Sequence, residues 1–156
     1  MLLLSEFTVG SIGQATPLTL VLPRSRYEDT FLIGHDRNAP AALFLSGDHQ
    51  FKWFESAGNE SREGLLIPNV RIEVDETSVF HPSELRPELG TIVRQGTQLV
   101  AHATNATRSL SRPGSFVLED GLPSRSNVEV GFLRWQIVLG SGREKRVLHN
   151  VSIGQT

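Results

Sequence analysis

The chain contains no cysteine in 156 residues. That absence excludes a disulfide framework, a thiol nucleophile and any cysteine-ligated zinc or iron–sulfur centre. A surplus of one charge is missing too. Fifteen basic against seventeen acidic side chains leave a formal charge of −2, which gives no electrostatic case for nucleic acid or an anionic membrane. No apolar run is long enough for a membrane-spanning helix. The opening Met1-Leu2-Leu3-Leu4-Ser5-Glu6 lacks a basic segment, and its apolar stretch is too short for a secretory signal. It is expected to be a first strand, and the protein to be cytoplasmic. No Gly-x-Ser-x-Gly elbow and no phosphate-binding Gly-x-x-x-x-Gly-Lys-Ser/Thr loop occurs, so neither a serine nucleophile nor a nucleotide cofactor is signalled. No cofactor is expected.

What is present is alternation. No window of helical length keeps an apolar stripe at i, i+3, i+4 and i+7, whereas short runs of period two recur between turn residues. Val70-Arg71-Ile72-Glu73-Val74-Asp75 is the cleanest: apolar residues on one face, charges on the other. Residues 41–55 form a hairpin pattern about Gly47-Asp48, a pair suited to a type II′ turn. In that register Phe44 opposes Phe51 and Ala42 opposes Trp53. One face then gathers Phe44, Phe51 and Trp53 as core, and the other carries Leu43, Leu45, Gln50, Lys52 and Phe54. Residues 91–103 form a second hairpin with Gln95-Gly96 as the turn and Ile92 opposite Leu99. Ser115 to Glu119 is a further strand, closed by Asp120-Gly121.

The last hairpin runs from about 127 to 153 through Gly140-Ser141-Gly142. Its first strand changes phase, because Val128 and Val130 are even-numbered while Leu133, Trp135, Ile137 and Leu139 are odd. A bulge at Gly131 would reconcile the two. The sum is nine or ten strands with little or no helix: one all-β domain over residues 1–156, built as an antiparallel sandwich, a jelly roll or a closed barrel. Trp53 and Trp135 are its expected core anchors.

Chemistry-bearing residues are sparse. His35-Asp36 and Asp48-His49 would offer two imidazoles and two carboxylates to a divalent metal if the intervening chain folds back. His149, between Val147 and Val151, reads as a core histidine. Arg108-Ser109-Leu110-Ser111-Arg112 is an Arg-x-x-x-Arg segment, and Asn150-Val151-Ser152-Ile153-Gly154 an Asn-x-Ser-x-Gly segment. Together these resemble the motif of cyclic-dinucleotide-binding PilZ domains, with Gln155 where the second glycine of the usual pair would stand. That resemblance implies phosphates gripped by Arg108 and Arg112.

The favoured expectation is a soluble binding or assembly module rather than an enzyme. Leu43, Leu45 and Phe54 would form its partner-facing patch, with a protein partner or a second copy as occupant. The alternatives are a small barrel enzyme using His35, Asp36, Asp48 and His49, and a nucleotide-binding module using Arg108 and Arg112.

Overall fold

The computed structural model describes residues 2–25, 28–36, 39–56, 61–106, 114–125 and 128–154, without the side chains of Asp36, Gly114 and Ser115. Half of the described residues are in strands, and none of the helices among them reaches seven residues. The strands in chain order are β1 (Thr8–Ser11), β2 (Leu20–Pro23), β3 (Phe31–Asp36), β4 (Ala39–Phe44), β5 (Lys52–Glu55), β6 (Glu63–Ile67) and β7 (Arg71–Val74). They continue with β8 (Val79–Phe80), β9 (Ile92–Gln95), β10 (Gln98–Asn105), β11 (Gly114–Glu119), β12 (Val130–Phe132), β13 (Arg134–Leu139) and β14 (Arg146–Ser152). The N-terminal leucines do not form a strand: Leu4–Glu6 is a single 3₁₀ turn, and pairing begins at Thr8.

Five strands close a ring. β3 pairs with β4, β4 with β5, β5 with β10, β10 with β11, and β11 returns to β3 at Val117 opposite His35. All these pairs are antiparallel except β5–β10. Of the architectures open to an all-β sequence, this is the closed barrel, with extra strands attached. The sheet runs on from β3 through β2, β6 and β1, and from β10 through β9, β12 and β8, while β14, β13 and β7 form a separate three-stranded sheet.

The main apolar cluster joins the two sheets. Leu43, Leu45, Trp53, Phe116 and Leu118 come from the ring, and Trp135, Ile137, Leu139 and Val151 from the smaller sheet. Each such side chain withdrawn from water contributes about 1.5–3 kcal/mol before entropy is counted. Ala41, Ala101 and Ala103 lie among them, where larger residues would crowd so narrow a ring. Trp53 and Trp135 are both buried, as their phase implied. A second cluster collects Phe31, Phe44 and Phe54, whose ring centroids lie 4.8–5.8 Å apart, with Ile12, Val21 and Leu66.

Three local expectations change. In the β4–β5 hairpin, Leu43 opposes Trp53 and Ala42 opposes Phe54, one residue away from the expected register. Phe51 is the cause: it adopts a left-handed backbone, φ 63°, and its N–H donates to the Phe44 carbonyl at 2.8 Å. This conformation disfavours a bulky side chain, yet it inserts the residue that flips every later side chain to the other face. Trp53 therefore joins Leu43 and Leu45, while Phe54 joins Phe44.

In the next hairpin the turn is Gly96-Thr97, and Ile92 opposes Ala101 rather than Leu99. That slip of two preserves the faces. At Gly131 the ladder is continuous, with Phe80 and Val93 as its neighbours. The phase change falls at Leu133, where the chain leaves the large sheet at the end of β12 and enters the small one as β13. Changing sheets does the work expected of a bulge.

Ring closure rests on a close approach. A Cβ on Gly34 would lie 2.3 Å from the Val117 carbonyl oxygen and 2.6 Å from the Phe116 ring. Gly34→Ala should therefore lower unfolding stability by about 1–3 kcal/mol through overpacking, read as a lower midpoint in urea. An unchanged midpoint would mean that β3 and β11 do not close the ring there.

Candidate functional site

The smaller sheet has two unlike faces because its strands alternate. Trp135, Ile137 and Leu139 of β13 enter the core, which leaves Arg134 and Gln136 on the outer side. Register builds rows across that outer side. Glu73 of β7, Gln136 of β13 and Asn150 of β14 stand abreast, and Arg134 stands opposite Ser152. A trough of about 620 Å³ lies over them, lined by Glu73, Asp75, Glu76, Arg134, Gln136, Asn150 and Ser152, with Val74, Trp135 and Val151 between.

The trough is threaded by two ion-pair networks. Asp75 caps the 3₁₀ turn Glu76–Ser78, accepting from the Thr77 N–H at 2.9 Å and from the Thr77 hydroxyl at 2.6 Å. Arg134 Nε donates to the other carboxylate oxygen at 2.9 Å, and its Nη2 donates to the Thr77 hydroxyl oxygen at 3.0 Å. The Thr77 hydroxyl, followed by Arg134 and the Thr77 amide, holds the Asp75 pKa down at about 2. Glu73 accepts from Lys145 Nζ and from Gln136 Nε2, both at 3.0 Å, and these bonds likewise lower its pKa. Both carboxylates are thus fixed as anions with their acceptor capacity largely used.

One buried bond fastens this sheet to the ring. The Trp135 indole N–H donates to the Gly90 carbonyl at 2.8 Å. Gly90 sits at φ 89°, where a Cβ would strike the Phe51 ring at 2.4 Å, and its own N–H donates to His102 of β10 at 2.8 Å.

The residues singled out from sequence fall elsewhere. His35 and Asp36 close β3, opposite Pro40 and Ala39 of β4. Asp48-His49 lies in the loop at the other end of the same strand pair. There Phe31 opposes Phe44, and the His49 ring packs 5.5 Å from Phe44. Four residues of extended chain, about 13 Å, separate His35 from Phe31. β4 pairs antiparallel with β3 and runs back along it, so the two His-Asp pairs lie at opposite ends of this strand pair, and among the described residues no group of three metal-ligating side chains forms.

Leu43, Leu45 and Phe54 are buried at 0%, 1% and 8% exposure. The expected partner patch is therefore interior: Leu43 and Leu45 face the main core and Phe54 the phenylalanine cluster. Arg108 and Arg112 lie outside the described residues. His149 stands opposite Ile137, half-buried on the core side, and burial pushes its pKa down. His102 is shifted the same way by burial, with Arg86 adding to it.

Glu73, Asp75, Arg134 and Gln136 escaped the sequence reading as a site, although the signal was there. The Val70–Asp75 alternation marks a wet, charged face, but only the β7–β13–β14 register brings Arg134 and Gln136 alongside it.

A model of the protein family described as "Uncharacterised protein y4lG" matches residues 9–156. The chain is similar to the protein of that description from Sinorhizobium fredii (strain NBRC 101917 / NGR234), at 49% identity over 148 residues, covering 95% of this chain and 91% of the relative. No solved structure matches.

The Asp75 network has a direct titration signature. A folded-state pKa below the ordinary 3.8 means that its stabilisation is complete above the unfolded value and disappears as pH falls through the folded one. In a carbon-13 NMR titration the Asp75 carboxyl should have its midpoint near 2, and Thr77→Val should raise that midpoint toward 3.8. A wild-type midpoint already at 3.8 would dissolve the network.

Proposed function

The chain belongs to the y4lG family, and on that premise we propose that it is a non-catalytic binding or assembly module whose contact face is the outer surface of β7, β13 and β14. The observation that carries this reading is the internal pairing of the trough's charges, Asp75 with Arg134 and Glu73 with Lys145. A general acid or base works best with a pKa near the ambient pH. Both paired carboxylates are pushed the opposite way, and a proton acceptor such as Asp75, held at about 2, does little at neutrality.

The same groups suit a contact face. Interfaces between separately folded proteins are about as polar as the rest of the surface and are bordered by charged residues whose hydrogen bonds are met. Ion pairs held in place by register present a fixed pattern of donors and acceptors, which favours choice of partner over raw affinity. The buried Leu43, Leu45 and Phe54 take no part, so partner contact is assigned to this polar face instead.

A photo-crosslinking amino acid placed at Gln136, compared with one at the exposed Val9 of β1, tests the assignment in cells expressing the full chain. Position 136 should give a discrete adduct of defined mass and position 9 none. Adducts of equal yield from both positions, or none from 136, would remove this face as the contact surface.

A further inference from the structure

Among the described residues, β14 pairs with β13 on one side only. Which of its peptide groups face the open side follows from the ladder. Ile153 N–H donates to the Leu133 carbonyl at 2.9 Å, so residues 153, 151 and 149 direct their N–H and C=O groups at β13, and Asn150 and Ser152 direct theirs away. The neighbouring strand confirms the parity, because the carbonyl of Arg134, opposite Ser152, turns to the other side and accepts from Asp75 N–H at 2.9 Å. Two successive outward-facing residues thus present four backbone groups on a strand edge with no partner among the described residues. The other edge of this sheet is already occupied, since the Ile72 N–H of β7 meets a Glu119 carboxylate oxygen at 3.4 Å.

Folded proteins usually blunt such an edge with charges, proline or a bulge. Residues 149–153, His-Asn-Val-Ser-Ile, carry no Asp, Glu, Lys, Arg or Pro, and the register shift in β14 falls before them, opposite Ile137/Val138. The pattern is also complementary to itself. Laid antiparallel about a two-fold axis at Val151, Asn150 of each copy stands opposite Ser152 of the other. Both are hydrogen-bonding positions, so all four backbone groups of each edge are used, and the outward amide of Asn150 meets the hydroxyl of Ser152 across the seam. No like charges face each other across this seam.

We propose that the chain forms a two-fold dimer by antiparallel pairing of β14 with β14 of a second copy, Asn150 opposite Ser152. The inference rests on the assembly reading above and names its partner. It joins two three-stranded sheets into one of six strands and sets the two troughs side by side on a continuous face, the isologous contact expected of a closed pair.

Sedimentation equilibrium from micromolar to millimolar protein tests it with two double variants at these exposed positions. Asn150→Lys with Ser152→Lys sets lysine against lysine twice across the axis and should weaken association by about ten-fold or more. Asn150→Lys with Ser152→Glu sets lysine against glutamate and should restore the wild-type dimer, which a merely structural lesion would not do. A wild-type chain that stays monomeric throughout overturns the proposal. A dimer indifferent to the Lys/Lys variant overturns it as well, while leaving assembly through another surface standing. Melting curves for both variants confirm that each is folded.

Discussion

The hydrogen bond from the Trp135 indole to the Gly90 carbonyl fastens the smaller sheet to the ring, and the orientation of β13 depends on it. It is buried, it joins β13 to a residue whose own N–H is tied to β10, and the Phe51 ring occupies the space that a side chain at position 90 would need. Losing the donor would leave the Gly90 carbonyl without its indole partner in the core, at a cost of about 1–3 kcal/mol. The consequence extends beyond stability. With Trp135 anchored inward, the period of two along β13 turns Arg134 and Gln136 outward, and the rows they form with β7 and β14 build the trough. The left-handed Phe51 belongs to the same junction, so one strained residue sets both the β4–β5 register and the packing beneath Gly90.

The class of fold was legible from sequence, and the sheet connections were not. Alternation at 70–75 and the chain's wealth of turn residues were enough to give all-β, because period-two burial is a local property. Registers that depend on a two-residue turn were fragile. Phe51 shifted the first hairpin by one residue and exchanged its faces, and with them the supposed docking patch of Leu43, Leu45 and Phe54 went into the interior. No local signal marks a phenylalanine for a left-handed backbone; its ring is placed by Gly90, some forty residues downstream. The phase change near Gly131 marks a real discontinuity, but not a bulge. A sheet switch and a bulge leave the same trace in a pattern, and the chain takes the switch at Leu133.

The candidate site was legible only in half. The charges of Glu73 and Asp75 were visible as one wet face of a strand, but their cations come from positions 134 and 145, and sequence alone cannot pair strands that far apart. The histidines drew attention through residue type, yet His35 and His49 occupy opposite ends of one strand pair, and His102 and His149 are drawn toward neutrality by burial. The proposed contact face relies instead on the Asp75–Arg134 and Glu73–Lys145 pairs. β14 completes that face, contributing Asn150 and Ser152 side chains to the trough and their peptide groups to the open edge.

Residue-resolved amide exchange in dilute solution tests the central claim, that β14 is paired on one side and open on the other. The account predicts slow exchange for Trp135, Ile137 and Val151, whose N–H groups lie within the ladder, and fast exchange for Asn150 and Ser152. Strong protection at Asn150 and Ser152 equal to that at Val151, at a dilution where the chain is monomeric, would contradict it.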